Sequence, residues 1–412
     1  MNEVPILRFQ RLVPPMIALL LLASTARVAG SATDVWSPMG LQGARILSLA
    51  IDPATPSTLY AAATFPGIGG LVLKSIDSGR SWRKINNGLP ADQPVTMVID
   101  PKTPSTLYLA LSDPSSSSGA VFKTIDGGES WLPASSGLAK VDIRAMVIDL
   151  LTPDILYVAQ QSRGVSKTTN GAVSWTPINS GLSTLESRSL AIDPHTPNTL
   201  FVGLLHFSSM GNCAAPQTDS LFRSTNGGGT WSNASAGLIN SPQAIAIDPR
   251  TPTTLYAATS QLFCVAFIYT GIFKSTDGGE SWKSADNGLP AGLVVNSLAI
   301  DPQTSSTVYA GGRGVYRSID GGGSWTSLSD GLVGFEASIV NTLVIDPKRS
   351  TTLYAGTSDG LFVLNPATPP PSVPQPASPP PQQIPTLSTW MTLVLAMLFL
   401  LIAARAQRRK AI

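Results

Sequence analysis

Residues 48–89 read SLAIDPATPSTLYAAATFPGIGGLVLKSIDSGRSWRKINNGL, and this stretch decides the fold because the chain repeats it. Its first half recurs seven times, with aspartates Asp52, Asp100, Asp149, Asp193, Asp248, Asp301 and Asp346 in register. Its second half recurs six times, ending at Trp82, Trp131, Trp175, Trp231, Trp282 and Trp325. Successive tryptophans stand 49, 44, 56, 51 and 43 residues apart. A period of about 40 to 50 residues holding several short apolar runs is that of propeller blades. Four strands fit the unit, at 49–51, 59–61, 71–74 and 82–85, with Pro, Gly, Asn and Asp between them as turn chemistry requires. No repeat carries a helical period.

The seventh unit stops after Gly360-Leu361-Phe362, before a fourth strand. The missing piece stands at the other end, where Val35-Trp36-Ser37-Pro38-Met39-Gly40-Leu41 matches the tail of the repeat. The expected fold is therefore all-β: a seven-bladed β-propeller closed by the N-terminal strand, which completes the last blade and leaves no open edge at the seam.

The flanks read differently. Arg8 and Arg11, the apolar run 16–23 and the small residues Ala29-Gly30-Ser31-Ala32 form an export signal over 1–32, with an uncleaved anchor as the alternative. The propeller is assigned to 33–364. A Pro-rich linker covers 365–383 and cannot pack a core. Within 384–412, residues 387–404 are apolar enough for a transmembrane helix, and Arg405, Arg408, Arg409 and Lys410 follow it. Positive charge stays in the cytoplasm, which puts the propeller outside. Charged residues make up only 13% of the chain and the net charge is +2, so composition gives no case for nucleic acid. Two cysteines and two histidines exclude a dense disulfide scaffold and a Cys/His zinc cluster. No metal or cofactor is expected.

Two resemblances follow from these residues. Ile384-Pro385-Thr386-Leu387-Ser388-Thr389-Trp390, with its apolar helix and basic tail, resembles the IPTL carboxy-terminal sorting signal of Gram-negative bacteria, although that family more often has Glu-Trp-Gly where this chain has Thr389-Trp390-Met391. The resemblance implies export to the cell envelope or cell surface, processing by an exosortase-type membrane enzyme, and a setting beside exopolysaccharide systems. A plain stop-transfer anchor is the alternative.

Ser275-Thr276-Asp277-Gly278-Gly279-Glu280-Ser281-Trp282 resembles the Asp-box, or BNR, motif. So do the segments bearing Asp77 and Trp82, Asp126 and Trp131, and Asp320 and Trp325, while Asn170 and Asn226 replace the aspartate in two others. The whole repeat is similar to xyloglucan-cleaving two-propeller hydrolases, sialidases, sortilin-type propellers and the photosystem II assembly factor. No Arg-Ile-Pro segment stands in the first blade, so the sialidase arginine triad does not carry over. The hydrolases work in a cleft between two propellers, and this chain holds one. The box aspartates read as structural, because a carboxylate can accept backbone N–H bonds in a tight turn and a catalytic group is not copied around a ring.

Any ligand is expected on the face opposite these turns. Five residues before each repeated aspartate stand Leu47, Val95, Arg144, Arg188, Gln243, Asn296 and Asn341, a polar ring at the channel entrance suited to a glycan or a carboxylate, or simply solvated lining. The longest loops are read as 111–120, 204–220 and 260–271. The last two carry His206, Phe263 and Tyr269, which suit a sugar or an apolar partner or pack on one another. Cys213 and Cys264 stand in equivalent loops of adjacent blades and are expected to form a disulfide in an exported protein, with free thiols as the alternative. The functional expectation is a monomeric, non-catalytic binding or scaffold module for a glycan, exopolysaccharide or envelope protein. A glycoside hydrolase and an assembly factor for a membrane protein are the alternatives.

Overall fold

The computed structural model describes residues 34–113, 118–205, 220–260, 270–332 and 339–364. They form seven four-stranded antiparallel sheets. Six blades each use four consecutive strands. In the first these are Arg45–Ile51, Leu59–Phe65, Gly69–Ser75 and Arg83–Lys84. The seventh takes Val340–Ile345, Leu353–Thr357 and Gly360–Leu364 from the end of the domain and Trp36–Pro38 from its beginning. Trp36 pairs with Leu364 and Pro38 with Phe362, so the expected closure is present.

The second strand of each blade is buried on both sides, as its near-continuous Leu-Tyr-Ala text requires. The core fills the slots between neighbouring sheets rather than one central volume. Seven apolar clusters do this, and each draws on two adjacent blades. Each slot holds several fully buried Leu, Ile, Val or Tyr side chains, and an aliphatic one contributes about 1.5–3 kcal/mol.

The sequence places a strand at 82–85 in the first unit, but in six blades the fourth strand is only two residues long, with both side chains exposed. In those six the tryptophan lies just before it and turns inward, while Trp36 begins the outer strand of the seventh. Trp131 Nε1 donates to the Ile85 carbonyl of the preceding blade at 2.8 Å, and its backbone N–H donates to Asn87 at 2.9 Å. Trp175, Trp231, Trp282 and Trp325 repeat the indole bond. Trp36 repeats it at the seam, donating to the Leu328 carbonyl at 2.6 Å. The loop read as 111–120 is also shorter than expected. Its flanking strands continue to Asp113 and resume at Ser118, which pair directly.

The turns between third and fourth strands are closed by side chains. Ser318 Oγ donates to Asp320 Oδ1 at 2.7 Å, and Ser324 donates its N–H to Oδ1 and its hydroxyl to Oδ2 at 2.9 and 2.7 Å. Those hydroxyl and backbone bonds, Ser324's first, hold the Asp320 carboxyl down at about 2. Asn170 and Asn226 keep the same geometry: the amide oxygen accepts the backbone N–H, and the amide nitrogen donates to Ser174 or Thr230. These turns dock on the turns after the first strands, through bonds such as Ser78 N–H to Ser57 O and Gly127 N–H to Ser105 O. There Asp52 Oδ1 accepts the N–H groups of Ala54 and Thr55. Both sets of aspartates are thus engaged by their own turns, and both lie on one face.

Candidate functional site

The opposite face is built by a register slip. Each innermost strand starts on this face and pairs with its neighbour, and in six of the seven blades the pairing skips one residue near that start. The skips fall between Ile46 and Ser48, Pro94 and Thr96, Ile143 and Ala145, Ser187 and Ser189, Pro242 and Ala244, and Val340 and Thr342. The skipped residues are Leu47, Val95, Arg144, Arg188, Gln243 and Asn341. In the sixth blade Asn296 stands just before the strand Ser297–Ile300 and donates its backbone N–H to Gly311. A bulge of this kind leaves one residue outside the ladder and re-aims its side chain. The ring position found by counting is therefore the bulge position of the sheet.

Six of the seven ring residues line one cavity of about 500 Å³, namely Leu47, Arg144, Arg188, Gln243, Asn296 and Asn341. Val95 is not among them. Arg45, Gln161 and Leu205 also line it, and sequence counting passed over all three. Arg45 could have been found two residues before Leu47. Gln161 and Leu205 carry no such signal, because they come from the ends of second strands rather than from the repeated position. Three guanidiniums, of Arg45, Arg144 and Arg188, share the cavity with the single carboxylate of Glu186.

The polar groups are not equivalent. On blades 5, 6 and 7 the amides clamp the ring. Gln243 Nε2 donates to Val295 O at 2.7 Å, Asn296 Nδ2 to Val340 O at 3.2 Å, and Asn341 Nδ2 to Ile46 O at 2.9 Å. Each reaches the carbonyl just before the next blade's ring residue, and the third crosses the seam. On blades 3 and 4 the arginines face different partners. Arg144 donates to Gln161 Oε1 and lies 3.5 Å from Asp142, whose other oxygen accepts the Ser112 hydroxyl. Arg188 donates to Gln243 Oε1 at 2.6 Å and to Ser260 Oγ at 3.3 Å, both neutral. Burial, and then the neighbouring Arg144, pull its guanidinium down to about 10, which leaves it charged at neutral pH. Glu186 accepts the Ser162 hydroxyl.

His206, Phe263, Tyr269, Cys213 and Cys264 lie outside the described residues, as do the export signal, the linker and the sorting segment. Among the described residues, no group of His, Cys, Asp and Glu could hold a metal ion, and no helix is long and apolar enough to cross a membrane.

No protein-family model and no curated protein matches the chain. Solved structures do. A GH74 xyloglucanase from Xanthomonas campestris superposes with a TM-score of 0.63 at 16% identity, over 80% of this chain and 53% of its own. This chain thus spans about half the length of that enzyme. YCF48 from Cyanidioschyzon merolae superposes at 0.55 and 15% identity, over 80% of this chain and 98% of its own. A structure of YCF48 bound to D1 peptide gives 0.56 and 16%, over 80% and 95%. At such identities the likeness is one of fold.

Proposed function

We propose that this chain is an exported, envelope-held propeller that binds a ligand at the mouth of its central channel without turning it over. The observation that carries this reading is the convergence of six ring side chains on one cavity, five of them borne on bulges. A bulge costs ladder pairing, and here five blades use one to aim a ring residue at the same space. The variety at that position contrasts with the uniform turns of the opposite face, where every aspartate is engaged in its own loop. The ligand class is a glycan or an envelope protein. A propeller of this shape forms about half of a xyloglucanase in one neighbour and is bound to a peptide in another, which supports a ligand role for the fold without choosing between the two.

The rest of the reading comes from the sequence. The signal at 1–32 and the IPTL-like segment at 384–412 support export, a membrane tether and processing by an exosortase-type enzyme. Cys213 and Cys264 are proposed to be bonded, with the aromatic loops around them widening the binding face. The protein is proposed to act as a monomer and to need no cofactor.

One observation favours a hydrolase as the second reading: Glu186 lines the cavity and Asp142 stands behind Arg144. The test takes the full-length, oxidised chain on a panel of polysaccharides, with mass spectrometry of the supernatant. Saturable binding without release supports the module. Released oligosaccharide that disappears in Glu186→Gln or Asp142→Asn overturns it in favour of catalysis. Neither binding nor release, with a defined membrane protein copurifying instead, moves the reading to an assembly factor.

A further inference from the structure

We propose that the channel mouth takes a hexuronate residue of an acidic glycan, with its carboxylate on Arg188 and Arg144 and its hydroxyls on the amide oxygens of Asn296 and Asn341. This deepens the reading above and rests on the mouth being a binding site.

Four observations converge on it. Arg188 is partly buried, and among the described residues its two hydrogen bonds go to neutral oxygens of Gln243 and Ser260. A guanidinium has five N–H donors, so three remain for a ligand among the described residues. A partly buried charge held only by neutral acceptors is well placed for an anion, and the planar fork suits a carboxylate held through two bonds. The second observation is Arg144, close to Arg188 and lining the same cavity, with about half of its side chain accessible. Two of the cavity's three guanidiniums thus stand on adjacent blades, one of them beside Asp142, while the third, Arg45, comes from the first blade.

The third observation is the opposite side. Asn296 and Asn341 use their amide nitrogens on the Val340 and Ile46 carbonyls, and a carbonyl partner fixes which end of each amide is nitrogen. Their oxygens are left as acceptors lining the cavity. A ligand that suits both sides carries an anion at one end and hydroxyl donors at the other. The fourth is Glu186, whose carboxylate also lines the cavity. It accepts hydroxyls and repels surplus negative charge, so it favours a monoanionic polyol over a phosphate. A volume of about 500 Å³ lies within the usual range of small-molecule sites, about 300–1,000 Å³.

The experiment is calorimetric titration of the full-length chain in detergent with D-glucuronate, D-glucose and acetate. Glucuronate is expected to bind at least about tenfold more tightly than either, since it alone meets both sides of the cavity. Arg144→Gln and Arg188→Lys are each expected to weaken it about tenfold or more. Arg144→Gln, at a half-exposed side chain, keeps the test valid should the Arg188 variant fold poorly. Equal affinity for glucose and glucuronate, or wild-type affinity in both variants, overturns the proposal. So does binding of a peptide with a free carboxyl terminus, lost on amidation, in place of glucuronate. Neutral glycans that bind without regard to either arginine remove the uronate and leave the binding module standing.

Discussion

Gly88 has no room for a side chain. Its φ is +89°, and a Cβ there would stand 2.2 Å from the carbonyl oxygen of Trp131. Gly137, Gly181, Gly237, Gly288 and Gly331 meet the next tryptophan in the same way, the last of them Trp36 across the seam. Gly88→Ala is expected to lose more than about 2 kcal/mol, because backbone on both sides must move. A lowered urea midpoint with unchanged slope would register it. Asp320 gives a contrasting case. Its folded carboxyl sits at about 2, below the unfolded value of about 3.9. The turn therefore contributes fully above about pH 4, and its contribution fades as pH falls toward about 2. Asp320→Asn should retain the fold at neutral pH, since Asn170 and Asn226 close identical turns, and should flatten the loss of stability over that window. Acid titration of both proteins by circular dichroism checks it. An acid profile identical to wild type would mean that this turn contributes nothing to the transition.

At the level of the strand, the bulge decides which residue faces the channel. Counting back from the repeated aspartates found the position, because the repeats keep a fixed offset there. The slip itself was not legible. Periodicity assigns residues to alternate faces, and one unpaired residue changes that assignment without changing a letter of the sequence. Nor could counting separate the residues that clamp from those that are free. Gln243, Asn296 and Asn341 looked like ligand groups, yet each has spent its nitrogen on the neighbouring blade. This yields a paired prediction. Asn341→Ala should cost about 1 kcal/mol through the lost bond to Ile46 and leave that carbonyl short of a partner. Arg144→Ala, at a half-exposed side chain, should change stability by less than about 0.5 kcal/mol. Equal destabilisation of the two in chemical denaturation would mean that the Asn341 bond across the seam does not clamp the ring.

Across the whole molecule the repeat made the blade count and the seam readable, because seven of the eight tryptophans fall at one equivalent place. What each slot contains was less readable, since a slot is shared by two units about 50 residues apart. Sharing makes the blades interdependent. Trp36→Ala should cost about 3–5 kcal/mol, like other deletions of a buried tryptophan, and should still give one unfolding transition by calorimetry. Two separate transitions would show that the seventh blade melts alone. The seam also sets an order in time. Trp36 emerges early in synthesis, yet the carbonyl that accepts its indole lies 292 residues later, and its strand partner Leu364 later still. Blades in the middle of the chain find their neighbours close in sequence, whereas the first strand has no partner until nearly the whole domain has been made. That waiting strand is the lock that closes last.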